Sequence, residues 1–437
     1  MKKIYIILFI IIFSIGFQVG DYDSDGKYKN LPKKIKYFFN DLSPIFFSNS
    51  KKKIPEEKVK EFDNIEIIKA NSFGLKVENF LTIKDFKINT ETNRSISKTA
   101  AFQMDKINGE IIYKIFLQNG LTVDDKKIIE KINLPKSAFF GSSGYKDFSG
   151  GVKKVFTIDG NGYALISNKK DECFYASLIN LLSLKEILKS ECLPVDESNF
   201  PDFNGIGGAV TTFNQDIYLA IGAPESGSQN IRELAQSEES ILGKILKISR
   251  KNLLKSDQEN LEYSIYTKGH RNPQGIVEIN SKIFSNEHGP QGGDELNQII
   301  GGGNYGWPLK SYGTRYMDGK PFKYSKKIDN YQEPIYSFLP AIGPSSLSNC
   351  PKNLDDYYSE NICLMLLTLK ERSVFIILLD DDSLMIQSME QIKLKKRLRH
   401  FAVDKNIKTF FDEDSFYVST DSGKDLNILK LSFLNFR

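Results

Sequence analysis

Residues 155–167 read VFTIDGNGYALIS: a run rich in β-branched and aromatic side chains, a turn at Asp159 and Gly160, and a second apolar run. Two strand-forming runs joined by Asp-Gly make a β-hairpin signal, because both turn positions of the favoured two-residue loop need positive φ. Units with the same grammar recur at 100–117, 210–222, 276–285, 362–379 and 401–420. Their spacing of roughly 55 to 70 residues is too irregular for a WD repeat, but it suits four-stranded propeller blades with long loops. About six such units predict an all-β fold, a six-bladed β-propeller. A β-sandwich is the structural alternative; its strands usually recur every 8 to 12 residues or so, without the longer period. Helical stretches are scarce, with 181–190 and 231–242 the best candidates.

Working outward, the 437-residue chain is 40% apolar, enough for a sizeable core and incompatible with a disordered polymer. Lys and Arg number 59 against 55 Asp and Glu, so the net charge is only +4 and no basic field argues for a nucleic-acid partner. Lysine runs such as Lys51 to Lys53 read as a solvated face. There are only 3 histidines, His270, His288 and His400, so imidazole chemistry has few candidates.

Residues 1–20 place Lys2 and Lys3 ahead of an apolar run over 4–17, the pattern of a bacterial export signal, with Ser14 and Gly16 marking a cleavage site. The run of about 14 residues is short of the roughly 20 that span a bilayer, and an uncleaved anchor is the alternative. No cysteine follows it, which argues against a lipoprotein. Residues 21–60 are Lys-, Asn-, Asp- and Ser-rich and read as a polar spacer, leaving 61–437 for the propeller. Four cysteines suit an oxidising compartment; Cys173 with Cys192 and Cys350 with Cys363 would each close a short loop, although three pairings and four free thiols are all open. No Cys-x-x-Cys supports a zinc or redox centre.

The chemistry-bearing stretch is GHRNPQG at 269–275, EHGPQGGDELN at 287–297 and GGGNYGWP at 301–308, the last holding the single tryptophan, Trp307. Dense glycine lets backbone carbonyls and amides approach a ligand, and carbonyls beside carboxylates suit a hard cation. These three ordered motifs resemble the glucose/sorbosone dehydrogenase family, the soluble PQQ-dependent aldose sugar dehydrogenases built as six-bladed β-propellers. Weaker similarity runs through GGAV at 207–210, DIYLAIG at 216–222, LGKIL at 242–246, PSS at 344–346, TLK at 368–370 and RLR at 397–399, covering about residues 140–435.

The resemblance implies that Arg271 sits over the reactive quinone carbonyl, where a fixed guanidinium stabilises charge arriving with hydride, and that Asn272 is its polar neighbour. It implies that Gly289 and Pro290 give main-chain carbonyls to a Ca²⁺ that holds PQQ, with Asp294 supporting their loop. Lys370, Arg397 and Arg399 match residues that grip the cofactor's carboxylates. An Arg-x-Arg on a strand puts both guanidinium groups on one face, and His400 on the other.

Two stretches depart from the family. Its general base is a His in a His-x-Gly-Gly-Arg run; here residues 205–209 read GIGGA, placing Gly205 at the His and Ala209 at the Arg. Neither transfers a proton, and such a loss lowers rates by about 10² to 10⁴. His288 belongs to the calcium-loop motif and His270 precedes Arg271. In FLPAIGP at 338–344, Leu339 and Ala341 stand where relatives often carry Trp and a small hydroxyl residue. The expectation is therefore an exported PQQ- and Ca²⁺-dependent dehydrogenase taking an aldose to its lactone and passing electrons to an envelope acceptor. Asp202, Glu225 or water would then be the proton acceptor. The alternatives are a non-catalytic quinone-, sugar- or protein-binding propeller, and a lactonase-type hydrolase, for which no cluster of axial acids is visible. The expected location is the periplasm or outside the cell, with membrane tethering through the N-terminus as a variant.

Overall fold

The computed structural model describes residues 65–71, 73–83, 99–138, 150–171, 173–194, 203–223, 229–255, 261–315, 319–321, 330–421 and 425–434. The chain starts with β1 (Glu66–Lys69) and β2 (Gly74–Ile83). Blade 1 is β3 (Thr99–Ile107), β4 (Glu110–Leu117), β5 (Leu121–Asp124) and β6 (Ile129–Lys131). Blade 2 is β7 (Gly151–Ile158), β8 (Asn161–Lys170), β9 (Cys173–Asn180) and β10 (Glu186–Lys189), with β11 (Leu193–Pro194) also on β9. Blade 3 is β12 (Gly207–Phe213), β13 (Asp216–Ile221), β14 (Lys244–Ser249) and β15 (Ser264–Lys268). Blade 4 is β16 (Pro273–Ile279), β17 (Lys282–Glu287), β18 (Asp294–Ile299) and β19 (Tyr336–Phe338). Blade 5 is β20 (Pro344–Asn349), β21 (Asn361–Thr368), β22 (Ser373–Asp380) and β23 (Ile386–Lys393). Blade 6 is β24 (Leu398–Phe401), β25 (Phe411–Asp412), β26 (Ser415–Thr420) and β27 (Leu426–Leu434). It is completed by the first two strands, in the order β1-β2-β27-β26-β24. The N-terminal strands thus clasp the C-terminal blade and close the ring.

Inner strands β3, β7, β12, β16, β20 and β24 pack in succession, and β24 returns to β3. This closed ring of antiparallel sheets excludes the sandwich. Alternation along each strand explains it. On β13, Ile217, Leu219 and Ile221 join the core toward blade 2, while Tyr218 and Ala220 join the core toward blade 4. On β21, Cys363, Met365 and Leu367 face blade 6, and Ile362, Leu364 and Leu366 face blade 4. A blade buried on both faces reads as a continuous apolar run, which is why residues 362–379 look so hydrophobic.

Two-residue turns with positive φ at both positions join the first two strands of four blades: Asn108–Gly109, Asp159–Gly160, Asn214–Gln215 and Asn280–Ser281. The expected helix at 181–190 is instead a turn followed by β10. The Asn180 side chain accepts the amides of Leu182 and Ser183 (2.9 and 3.1 Å), and Ile187 and Leu188 are then buried against blade 3. At 231–242 only a helical stretch over Gln229–Glu233 and a 3₁₀ turn over Leu234–Gln236 form. The disulfides Cys173–Cys192 and Cys350–Cys363 each stay within one blade. Loops of this length gain on the order of 3 kcal/mol from closure. Among the described residues no helix is long and apolar enough to cross a membrane; the expected signal and spacer lie outside those residues.

Candidate functional site

In every blade the loop that enters the inner strand and the turn between the second and third strands lie at the same end of the ring, because the strands alternate in direction. That end collects residues 269–272 and 288–293 from blade 4, 339–343 and 369–372 from blade 5, 394–397, 421 and 425 from blade 6, and Gly205 from blade 3.

Two buried carboxylates organise the blade-4 part. Glu287, at the end of β17, accepts the backbone amides of Arg271 (2.8 Å) and Asn272 (3.3 Å), and its other oxygen lies 3.2 Å from both His270 Nδ1 and Asn297 Nδ2. The Arg-Asn pair is therefore held by its own backbone, leaving the side chains for other work. Arg271 Nη1 donates to the carbonyls of His288 (3.1 Å) and Gly289 (2.8 Å), and its guanidinium lies 5.3 Å from the centroid of the Trp307 ring. Asp294 accepts the amide of Gly289 at 3.0 Å and those of Ile342 and Gly343 at 2.8 and 2.7 Å. One carboxylate thus ties the 288–293 loop to the strand-entering loop of blade 5. Burial pushes the Asp294 carboxyl up from the usual range, opposed by those three amides and by Arg271.

On blade 6, Arg399 Nη2 reaches Asp421 Oδ2 at 2.6 Å, and Arg397 Nη2 reaches the same oxygen at 3.5 Å. The two arginines converge as an Arg-x-Arg on one strand face should, and Arg397 also approaches the Leu369 carbonyl (3.5 Å). Lys370, next in the chain, is exposed, with its amide bonded to the Ile342 carbonyl (3.1 Å). Arg271, Gly289, Asp294, Lys370, Arg397 and Arg399 thereby form one connected arc over blades 4 to 6. Asn272 Oδ1 accepts from Gln274 (2.6 Å), and Pro290 is buried. Leu339 is 63% exposed at the same end.

Gly205 lies where blades 3 and 4 come closest. A Cβ on Gly207, whose φ is +71°, would sit 2.1 Å from the Pro273 carbonyl oxygen, so the backbones touch without side chains. Ala209 is buried in the core between these blades. The histidines are engaged elsewhere. His270 is fully buried, with Nε2 2.8 Å from Thr267 Oγ1 and its ring stacked on Tyr305. His288 Nδ1 is 4.0 Å from Asp294. His400 Nε2 is 3.1 Å from the Thr99 carbonyl, and burial, with Lys154 and Arg399 nearby, holds its pKa well below the ordinary value.

A shallow crevice opens behind Arg271, lined by Glu287, Glu295, Trp307 and Lys310 among others. Burial and then the Glu287 charge raise the Glu295 pKa. The arc of cations beside this crevice is suited to a polyanion. Sequence reasoning missed Glu287 and Asp421. Glu287 was visible as the first residue of EHGP; Asp421 carried no local signal.

A family model described as Glucose / Sorbosone dehydrogenase matches residues 186–426, more than half of the chain. Over 159 residues the chain is 31% identical to the aldose sugar dehydrogenase YliI of Escherichia coli, covering 34% of this chain and 42% of that protein. Over 100 residues it is 36% identical to quinoprotein glucose dehydrogenase B of Acinetobacter calcoaceticus, covering 22% and 21%. The aligned stretches thus span well under half of these relatives. The crystal structure of the apo-form soluble aldose sugar dehydrogenase of Escherichia coli superposes with a TM-score of 0.58 at 19% identity, over 82% of this chain and 99% of that one, a likeness of fold. With the ring closed, the three glycine-rich motifs in place and the family model matched, the chain belongs to the glucose/sorbosone dehydrogenase family.

Proposed function

We propose that the protein is a PQQ-dependent dehydrogenase that oxidises an aldose at the anomeric carbon to the lactone. The observation that carries this reading is the arc of Arg271, Lys370, Arg397 and Arg399 at one end of the ring, with Asp421 as the only carboxylate among the described residues that the two blade-6 arginines share. Such a donor set suits a planar ligand bearing several carboxylates. PQQ, when bound, supplies the quinone that accepts the hydride. Lys370, Arg397 and Arg399 would hold its carboxylates, and Asn272 would provide a polar contact. Arg271, fixed by Glu287 through its backbone, would stabilise the developing negative charge.

Ca²⁺ fits this loop only through neutral donors, the carbonyls of Gly289 and Pro290 together with ligand oxygens, since no group of three His, Cys, Asp or Glu side chains is assembled among the described residues. The Gly289 carbonyl already accepts from Arg271, and its second lone pair is the one such an ion would use. Asp294 holds the Gly289 amide and so sets the orientation of that loop.

The anomeric proton finds no imidazole at Gly205. Asp202 and Glu225 lie outside the described residues, so water or one of these carboxylates takes the role. Turnover slower than a His-based site would give is the expected consequence. A non-catalytic binding propeller is the second reading, favoured by Gly205 and by the burial of Ala209. Residues 1–20 would export the chain or anchor it, and 21–60 would act as a spacer, giving a periplasmic or secreted protein that reduces an envelope acceptor. The test is to load purified protein with PQQ and Ca²⁺ and follow dye reduction with a panel of aldoses. Sugar-dependent reduction supports the enzyme; cofactor binding without turnover overturns it in favour of the binding reading; no binding overturns both quinone versions.

A further inference from the structure

The connection from β13 to β14 of blade 3 carries the 3₁₀ turn over Leu234–Gln236, which the chemistry above does not use. A lysine builds it. Lys244, the first residue of β14, is fully buried, and its ammonium donates to the carbonyls of Leu234, Ala235 and Leu242 at 2.8, 3.1 and 2.8 Å. Those bonds occupy all three of its protons and fix the turn from within. The Ala235 carbonyl also accepts the Gly269 amide at 2.9 Å, so the turn is fastened to the loop that enters blade 4.

From that turn the Gln236 side chain crosses to the GGGNYGWP stretch. Its Nε2 donates to the Trp307 carbonyl (2.6 Å) and to Asn304 Oδ1 (3.1 Å), and its Oε1 accepts from Asn304 Nδ2 (2.7 Å). Two amides bonded in both directions hold one relative orientation. Gly269, with φ +78°, leaves room for them: a Cβ there would lie 2.3 Å from Asn304 Oδ1 and 2.9 Å from Gln236 Nε2. The Trp307 amide returns to the Gly269 carbonyl at 2.9 Å, so both backbone groups of the tryptophan are held, and its ring is buried with Ala223 and Ala235. That ring is the one 5.3 Å from the Arg271 guanidinium, and the Arg271 carbonyl accepts the Ala223 amide at 2.8 Å. Blade 3 thus grips both members of the contact. We propose that Gln236 is a positioning residue for Arg271: its clasp with Asn304 and the Trp307 carbonyl sets the indole against the guanidinium, and the indole fixes where that guanidinium meets the ligand. A cation kept at an aromatic ring gives up rotamer freedom that a long side chain otherwise retains. The effect on turnover rests on the function proposed above; the placement of the ring does not.

The test uses Gln236→Met, which keeps the length of the side chain and removes its amide. Trp307 is the single tryptophan, so its emission reports the contact in the apoprotein. In Gln236→Met the emission should shift to the red and acrylamide quenching should rise, and Arg271→Ala should alter the emission of the native protein but not that of Gln236→Met. In protein loaded with PQQ and Ca²⁺, Gln236→Met should lower kcat by about tenfold while KM for the aldose stays within about twofold, as expected when a charge is misplaced for the transition state. Trp307→Phe should lower kcat to a similar extent, and adding Gln236→Met to it should lower kcat no further. Unchanged emission in Gln236→Met overturns the proposal. So do losses that multiply in the double variant, which would give Gln236 a role apart from the indole, and so does a lowered thermal midpoint with unchanged kcat, which would make the clasp structural alone. If the native protein oxidises no aldose, the dehydrogenase reading falls and the emission measurements decide the placement: loss of the Arg271→Ala effect in Gln236→Met supports it, and persistence of that effect overturns it.

Discussion

The two sides of the axial end are built by opposite means. On blades 4 and 5, side-chain carboxylates saturate loop amides: Glu287 takes those of Arg271 and Asn272, and Asp294 takes those of Gly289, Ile342 and Gly343. On blades 2 and 3, Gly205, Gly207, Gly208 and Ala209 bring backbones together with almost no side chain, and Lys154 beside Gly208 makes no hydrogen bond among the described residues. The first side is a pre-set frame, since each loop is fixed by bonds from another. The second is close backbone packing, around the position where the family resemblance leads one to expect a proton acceptor. The frame's hydrogen bonds run within blades 4 and 5, so residues 205–209 take no part in them.

The largest break in that comparison should come from Asp294→Ala. It leaves three buried amides without an acceptor, each worth about 1–3 kcal/mol, so stability to urea should fall by roughly 3–9 kcal/mol. A loss below about 1 kcal/mol would show that water replaces the carboxylate and that the frame is not set by it. Next in size is the chemistry of the frame. Arg271→Ala should lower the dye-reduction kcat by about 10² to 10³ with little change in thermal midpoint, as expected for a group that meets developing charge. An unchanged kcat would remove Arg271 from the reaction.

Much of the fold was legible because it depends on local pattern. Asp159–Gly160 and Asn108–Gly109 announce their hairpins, and the same turns at Asn214–Gln215 and Asn280–Ser281 are harder to read without glycine. The helix expected at 181–190 failed because apolar residues in a turn and a short strand imitate a helical stripe over ten positions. Within the site, Arg271, Asn272, Gly289 and Asp294 were legible from motifs that sit close together in the chain. Asp421 was not, because its meaning comes from Arg397 and Arg399, which lie at the start of another strand. Clasping of blade 6 by β1 and β2 was equally silent, since strand pairing between residues 74–83 and 426–434 leaves no local mark.

The glycine-rich side can be refilled. Gly205 is not among the glycines with positive φ, so a side chain is compatible with its backbone, whereas Ala209→Arg would force a guanidinium into the blade 3–4 core. Gly205→His alone should raise kcat by about 10- to 100-fold, with an acidic limb in the pH profile from the new imidazole. No gain, with cofactor affinity intact, would mean that the missing base belongs elsewhere.

The smallest effect separates the two buried lysines. Lys154 has its pKa lowered to about 8 in the folded state against 10.5 in the unfolded chain. Below pH 8 both states hold the proton, and the fold bears the full penalty of a buried charge. As pH rises from 8 toward 10.5 the folded state releases the proton first, so stability should increase across that window. The lysine keeps some contact with solvent, so a gain of about 1–2 kcal/mol is the expected scale. The clean range is pH 8 to 9.5, because the buried phenols of Tyr305 and Tyr417 have raised pKa values and oppose the trend once unfolded tyrosines ionise near 10. Lys244 is lowered to about 8 as well, but three carbonyl acceptors stabilise its ammonium, so we assign it the smaller share. Urea unfolding at pH 7.5 and 9.5 distinguishes them. Lys154→Met should be more stable than native at the lower pH and lose the upward slope. Lys244→Met should be less stable at both, since it strands three buried carbonyls. If the slope survives in Lys154→Met and vanishes in Lys244→Met, the unpartnered charge has been assigned to the wrong lysine.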